Sequence, residues 1–155
     1  MKIKIICLGK TKQKQIAGLI EEYQKRISKY IKLDWKILPD VKLTGSKTIE
    51  IVKEQEAAIL EKNLSTSALI IVLDENGKEF SSENFAHYLE NKFNIGKDII
   101  FVIGGVYGIS SKIIKNANIV LSFSRLTFTH QMIRLVLAEQ IYRAFTIIKG
   151  KKYHY

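Results

Sequence analysis

One cysteine and one proline are all that this 155-residue chain holds of either residue, and each scarcity excludes something. Cys7 has no partner for an internal disulfide, and its place inside an apolar run suits a reducing compartment, with the cytoplasm as the default. The chain has three histidines and no close cluster of His, Cys, Asp or Glu, so no metal site is expected. Pro39 stands alone and no Gly/Ser-rich tract occurs, which leaves no linker and makes residues 1–155 a single domain. No apolar run approaches a membrane span, and "MKIKIICLG" is too short and too lysine-rich for the apolar core of a signal peptide. The dinucleotide fingerprint G-x-G-x-x-G, the P-loop G-K-[ST] and the nucleophile elbow G-x-S-x-G are all missing.

What is present is an ordinary globular composition, 46% hydrophobic and 26% charged, in a chain long enough to bury its own core. The net charge of +10 is unevenly spread. Residues 1–32 carry nine Lys/Arg against two acids, residues 33–109 eight against twelve, and residues 110–155 eight against one. Two basic ends around an acidic middle present a polyanion-binding face if the ends meet in space. Otherwise they are lysines on solvated surfaces.

Short β-rich runs alternate with stretches of helical period. Strands are expected at 2–9, 33–38, 68–73, 98–103 and 118–123. "ALIIVL" and "DIIFVI" are continuous apolar runs, as in strands buried on both faces. The first helix places Ile16, Leu19, Ile20, Tyr23, Ile27 and Tyr30 on one stripe, and Ser81 or Ser82 caps the helix over 81–93. "DENGKEF" reads as a turn at Asn76-Gly77. This order predicts an α/β fold, a mostly parallel sheet with helices on both faces, and a ligand crevice beyond the strands' carboxyl ends. Three such ends carry suggestive residues: Leu73-Asp74, Gly104-Gly105 and Ser122 to Phe128.

Each has a plain structural alternative. "IGGVYG" lets backbone approach a ligand closely, or makes only a tight strand-to-helix turn. "FSRLTFTH" offers hydroxyls and amides to a small polar ligand, or serves to cap the next helix through Thr127 or Thr129. The last helix, about 130–148, is apolar over most of its circumference, which predicts burial on more than one side and a subunit interface. On it His130 and Arg134 share one face, and Glu139 and Arg143 the opposite one.

The ordered set "LD" (73–74), "F-x-I-G-G-x-x-G" (101–108), "S-x-S-x-L-T-F-x-H" (122–130), "R-x-x-L-x-E-Q-x-Y-R-A" (134–144) and a terminal "Y-H" resembles the ribosomal RNA large-subunit methyltransferase H family, within the SPOUT class. The resemblance implies a C-terminal trefoil knot and a homodimer. It implies methyl transfer from S-adenosylmethionine to N3 of a pseudouridine in 23S rRNA of the assembled ribosome, with no DNA or membrane partner. By position, the cofactor residues would be Leu73, Gly104, Phe123, Ser124, Arg125, Leu126, Thr127 and Phe128. The substrate-side residues would be His130, Arg143, Tyr153 and His154, with the general base unassigned. Val106, Lys152 and Tyr155 depart from the family's usual residues. The rival readings are a non-catalytic basic RNA- or ribosome-binding protein and an α/β enzyme with a nucleotide cofactor.

Overall fold

Alternation along the strands decides the architecture. In β1 (Lys2–Leu8), Ile3, Ile5 and Cys7 enter one apolar cluster while Ile6 and Leu8 enter another. In β4 (Ile99–Ile103), Ile99, Phe101 and Ile103 join the first cluster, and Ile100 and Val102 join the second. A strand apolar on both sides must be covered on both sides. Burying each such Ile or Phe stabilises the fold by about 1.5–3 kcal/mol.

The computed structural model describes residues 1–153. The remaining elements are α1 (Lys14–Ile27), β2 (Lys32–Leu38), α2 (Ile49–Glu61), β3 (Leu69–Lys78), α3 (Ser82–Asn94), α4 (Ser111–Lys115), β5 (Ile119–Leu121) and α5 (Met132–Ile148). The five strands form one sheet in the order β2-β1-β4-β3-β5, all neighbours parallel. Helices α1, α3 and α5 supply the first cluster, and α2 and α4 the second. Hydroxyl caps begin three helices: Thr48 for α2, Ser81 for α3 and Ser110 for α4.

Helix α5 lies between α1 and α3. Phe145 stacks on Tyr30 at 5.6 Å and on Phe93 at 5.5 Å, so one aromatic sandwich joins α5 to both neighbours. Part of the helix's apolar circumference is thus covered within the chain. A half-buried or exposed stripe of Met132, Leu135, Val136, Glu139, Arg143 and Ile147 remains on the outer side.

Three expectations change. The stripe of α1 ends at Ile27, and Leu19 is 45% exposed, at its edge. The segment Asp74–Lys78 is the end of β3 rather than a turn, with a register shift that brings Lys78 beside Leu121. Gly77 is there for closeness: a Cβ on it would stand 2.7 Å from the Val120 carbonyl carbon. Gly77→Ala should therefore destabilise the protein by about 1–3 kcal/mol in thermal denaturation. Gly18→Ala, in α1 with nothing within 4 Å of the added Cβ, should instead be neutral or stabilising by about 0.5–1 kcal/mol.

Candidate functional site

Where β4 ends, the chain makes a tight turn through Gly104–Gly108. Gly105 and Gly108 form an isolated bridge, and Gly108 takes a φ of +80°, which favours glycine. Beside it, the connection from β5 to α5 folds on its own hydroxyls. Ser122 Oγ donates to the Ser124 carbonyl at 3.0 Å, and the Leu126 N–H donates to Ser124 Oγ at 2.9 Å. Thr129 Oγ1, two residues ahead of the N-cap Gln131, accepts the Met132 N–H at 3.2 Å. Leu126 is 78% exposed and Phe128 41% exposed at the rim.

These two segments and the end of β3 enclose a cavity of roughly 590 Å³. It is within the size of a cofactor pocket. Leu73, Gly104, Phe123, Ser124, Leu126, Thr127 and Phe128 all line it; Arg125 is exposed and does not. Asp74 and Glu75 add carboxylates to the wall. A second cavity, of roughly 200 Å³, lies against the first and is bounded by Leu8, Asp40, Leu43 and Glu56. Gly105, Val106, Tyr107 and His130 line both.

His130 precedes α5 and is half-buried. Burial, and then the cations Arg134 and Lys12, push its pKa below the ordinary 6.5, against an opposing pull from Asp40. It is therefore neutral near pH 7 and able to accept a proton. Arg134, four residues on, is fully buried. Its Nη2 donates to the Leu8 carbonyl at 2.6 Å and its Nη1 to Thr11 Oγ1 at 2.9 Å. Gln131 Oε1 accepts the N–H groups of Lys12 and Gln13 at 2.8 and 2.9 Å. The end of β1 and the segment that follows it, as far as Gln13, are thus joined to the head of α5 by four hydrogen bonds.

The other candidate residues form a separate group. Arg143 lies about three turns further along α5 than Met132, roughly 16 Å. Its Nη2 pairs with Glu139 Oε1 at 2.6 Å, and its guanidinium lies 5.0 Å from the centre of the Tyr153 ring. Tyr153 donates to Glu139 Oε1 at 3.2 Å and packs edge-on against Tyr142 at 4.8 Å. Burial first, then Tyr23 and Glu139, raise the Tyr153 pKa. The tail is therefore folded onto α5 as far as Tyr153. His154 lies outside the described residues.

A family profile described as "Predicted SPOUT methyltransferase" matches residues 1–154. The chain belongs to the SPOUT methyltransferase family. Proteins named ribosomal RNA large subunit methyltransferase H are similar to it over its whole length. The one from Christiangramia forsetii is 44% identical over 100% of this chain and 99% of its own. That from Flavobacterium johnsoniae is 46% identical with the same coverage, and that from Bacteroides thetaiotaomicron 41%. Among solved structures, a probable methyltransferase from Bordetella pertussis Tohama I shares the fold at 10% identity, with a TM-score of 0.57 over 93% of this chain and 96% of that one.

For a SPOUT methyltransferase read from sequence alone, Arg134, Asp40 and Glu56 went unassigned. Glu56 did leave a signal. It stands four residues from Val52 and from Leu60, on the buried stripe of α2, where a carboxylate is out of place. The glycine pair also has a packing reason beyond the two alternatives of ligand approach and a tight turn. A Cβ on Gly104 would lie 2.8 Å from Ile109 Cγ1, and one on Gly105 would lie 2.8 Å from both Glu56 carboxylate oxygens. A bulky residue at Gly104 would disturb the turn itself, not merely occupy ligand space.

His130 yields a pH prediction. Its folded-state pKa lies below that of the unfolded chain, so between the two values the unfolded state holds more proton. Stability contributed by neutral His130 is complete above about 6.5 and is lost as pH falls through the lowered value. In thermal denaturation from about pH 7 to about pH 5, His130→Gln should lose less stability than the wild type. Equal losses would remove His130 from this account.

Proposed function

We propose that this protein transfers a methyl group from S-adenosylmethionine to N3 of a pseudouridine in 23S rRNA of the assembled ribosome, working as a homodimer in the cytoplasm. One observation carries the reading. A cofactor-sized cavity at the carboxyl ends of β3, β4 and β5 adjoins a half-buried, neutral-leaning histidine. The printed names of the full-length relatives support the ribosomal substrate.

The cavity's residues fit the cofactor. Leu73, Phe123, Leu126 and Phe128 offer apolar surface to an adenine ring, while Asp74 and Glu75 offer carboxylates to ribose hydroxyls or to a cation. When bound, S-adenosylmethionine supplies a methyl group on a sulfonium sulfur, which keeps the S–C electron pair when the methyl leaves. The protein's task is alignment and proton management. Loss of the imide proton from N3 makes that nitrogen the better nucleophile; the presence of a neutral-leaning His130 in the wall of the cavity supports a role for it in that proton transfer. Among the described residues no cluster of three metal-ligating side chains occurs, and the chemistry assigned here calls for none.

Two finer features belong to the same reading. The outer stripe of α5 suits a subunit interface, and a partner would bring a second Arg143 and Tyr153 toward the cavity that lies about three turns away in one chain. A C-terminal trefoil knot would have α5 threaded after the loop over 122–131. The central docking of α5, between α1 and α3 rather than at the sheet edge beside β5, supports that path.

Calorimetry should show S-adenosylmethionine binding, and Phe128→Ala should weaken it about tenfold, since this ring is rim-exposed and little needed for folding. Mass spectrometry of rRNA from treated ribosomes should show one new methyl group on a pseudouridine. A protein that binds the cofactor yet leaves ribosomes unmethylated would defeat the substrate assignment. Removing residues 151–155 should spare cofactor affinity, lower the melting temperature by a few degrees through the lost Tyr153–Tyr142 packing, and abolish methylation. Val136→Glu should split the dimer in analytical ultracentrifugation, because an unpaired buried charge is costly.

A further inference from the structure

The second cavity shares a wall with the cavity assigned above to the cofactor. We infer that it receives the nucleobase that accepts the methyl group, with Asp40 at the base's polar edge and Glu56 as the positioning residue beneath the shared wall. This inference rests on the methyl-transfer reading above.

Position is the first argument. In-line transfer needs the reacting atoms about 3–3.5 Å apart, so the acceptor must enter a chamber that opens onto the donor's. Among the described residues, Gly105, Val106, Tyr107 and His130 are common to both cavities, and His130 is the only titratable side chain among them besides Tyr107. At roughly 200 Å³ the second cavity is about a third the size of the first. It suits a single flat ring rather than a second cofactor-sized molecule.

Charge is the second argument. Lys42 lines this cavity, and Lys12 is close enough to lower the pKa of His130. Both lysines are exposed. Asp40 is exposed as well, and Glu56 alone is buried. Lysines and a carboxylate side by side at an opening match a nucleotide turned out of its stack. Its phosphates meet lysines and its N–H groups meet carboxylates. Uracil-type bases present an imide N–H between two carbonyls, and pseudouridine adds a second N–H at N1. An Asp40 carboxylate that accepts a hydrogen bond from N1–H leaves N3 free to face the donor. Uridine, with N1 bonded to its sugar, has nothing to offer there.

Glu56 is the third argument. It is 3% exposed, its Oε1 accepts the Val41 N–H at 3.2 Å, and its Oε2 is buried without a hydrogen-bond partner. Burial, with a smaller contribution from Asp40, raises its pKa. A costly buried carboxyl of this kind needs a reason. Both its oxygens lie 2.8 Å from where a Gly105 Cβ would be, so the carboxyl lies directly under the turn that separates the cavities. Through Val41 it also holds the segment after β2 that carries Asp40 and Lys42. One side chain therefore sets the distance between the donor's wall and the acceptor's edge.

The test fills the chamber and then loosens its wall, reading cofactor affinity by calorimetry and methylation of ribosomes by single turnover. Leu43 is 42% exposed and lines only the second cavity, so Leu43→Trp should fold and bind S-adenosylmethionine within about twofold of wild type. It should methylate about a hundredfold more slowly, the order of loss that misplacement of a reacting group brings. Ile95→Trp, equally bulky and at an exposed site after α3, should methylate normally. Asp40→Ala should lower kcat/KM for ribosomes about tenfold or more, as loss of a charged hydrogen bond does. Glu56→Ala should lower kcat with cofactor affinity and KM little changed. Glu56→Gln, which keeps the acceptor for Val41, should restore most of the rate. Wild-type methylation by Leu43→Trp overturns the inference. Equal loss in Glu56→Ala and Glu56→Gln, accompanied by lost cofactor affinity, reduces Glu56 to a folding role and overturns its part. A wild-type protein that binds cofactor but never methylates ribosomes defeats the earlier reading and this one together, a pattern distinct from variant-specific loss.

Discussion

Arg134 reaches from the first turn of α5 into the end of β1, and the arrangement of both cavities follows from that contact. Its guanidinium is fully buried and is held by the Leu8 carbonyl and the Thr11 hydroxyl. Burial lowers its pKa, with Cys7 and Asp40 pulling the other way. A buried cation stripped of these acceptors would cost several kcal/mol, so α5 has one favourable docking position rather than a range of sliding ones. His130, four residues earlier, is thereby placed where the two cavities meet. The same cation helps to keep that histidine neutral.

The docking also answers the question raised by the charge distribution. The basic first and last segments do meet, because the Lys12–Gln13 backbone is bonded to Gln131 and α1 packs along α5. The acidic middle of the chain is not simply opposite them. It supplies Asp40, Glu56, Asp74 and Glu75 to the cavities themselves. Lys42 lines the smaller cavity beside Asp40, both exposed, while Glu56 is buried beneath the glycine turn.

Much of this was readable from residue order. Each expected strand exists, because an unbroken run such as Ile99–Ile103 has no stable alternative to burial on both faces. The three strand ends chosen for their glycines and hydroxyls do surround one cavity, since a parallel sheet puts all its carboxyl ends on one edge. Single residues were less legible. Arg125 sits in the right loop but faces outward, and periodicity does not reach into a loop. Asn76-Gly77 has the composition of a turn yet continues β3, because the close approach of the Val120 backbone needs a residue without a side chain. Gly104 and Gly105 read as a close approach to a ligand or a tight turn; both line the larger cavity, and their missing side chains also make room for Ile109 and Glu56.

Local chemistry by itself determined the α/β class, the parallel sheet, the two-sided core and the sheet edge that carries the larger cavity, because those depend on patterns that repeat every two or every 3.6 residues. The ordered motifs over 73–154 determined the family, through their identity and spacing alone. Tertiary structure decided how residues far apart in the chain share one volume: Leu8 with Arg134, Val41 and Gly105 with Glu56, and Glu139 with Tyr153. None of these pairs has a periodic relation in sequence. Their partners are fixed only once the sheet order and the position of α5 are fixed, since burial and distance are properties of the assembled packing rather than of any segment.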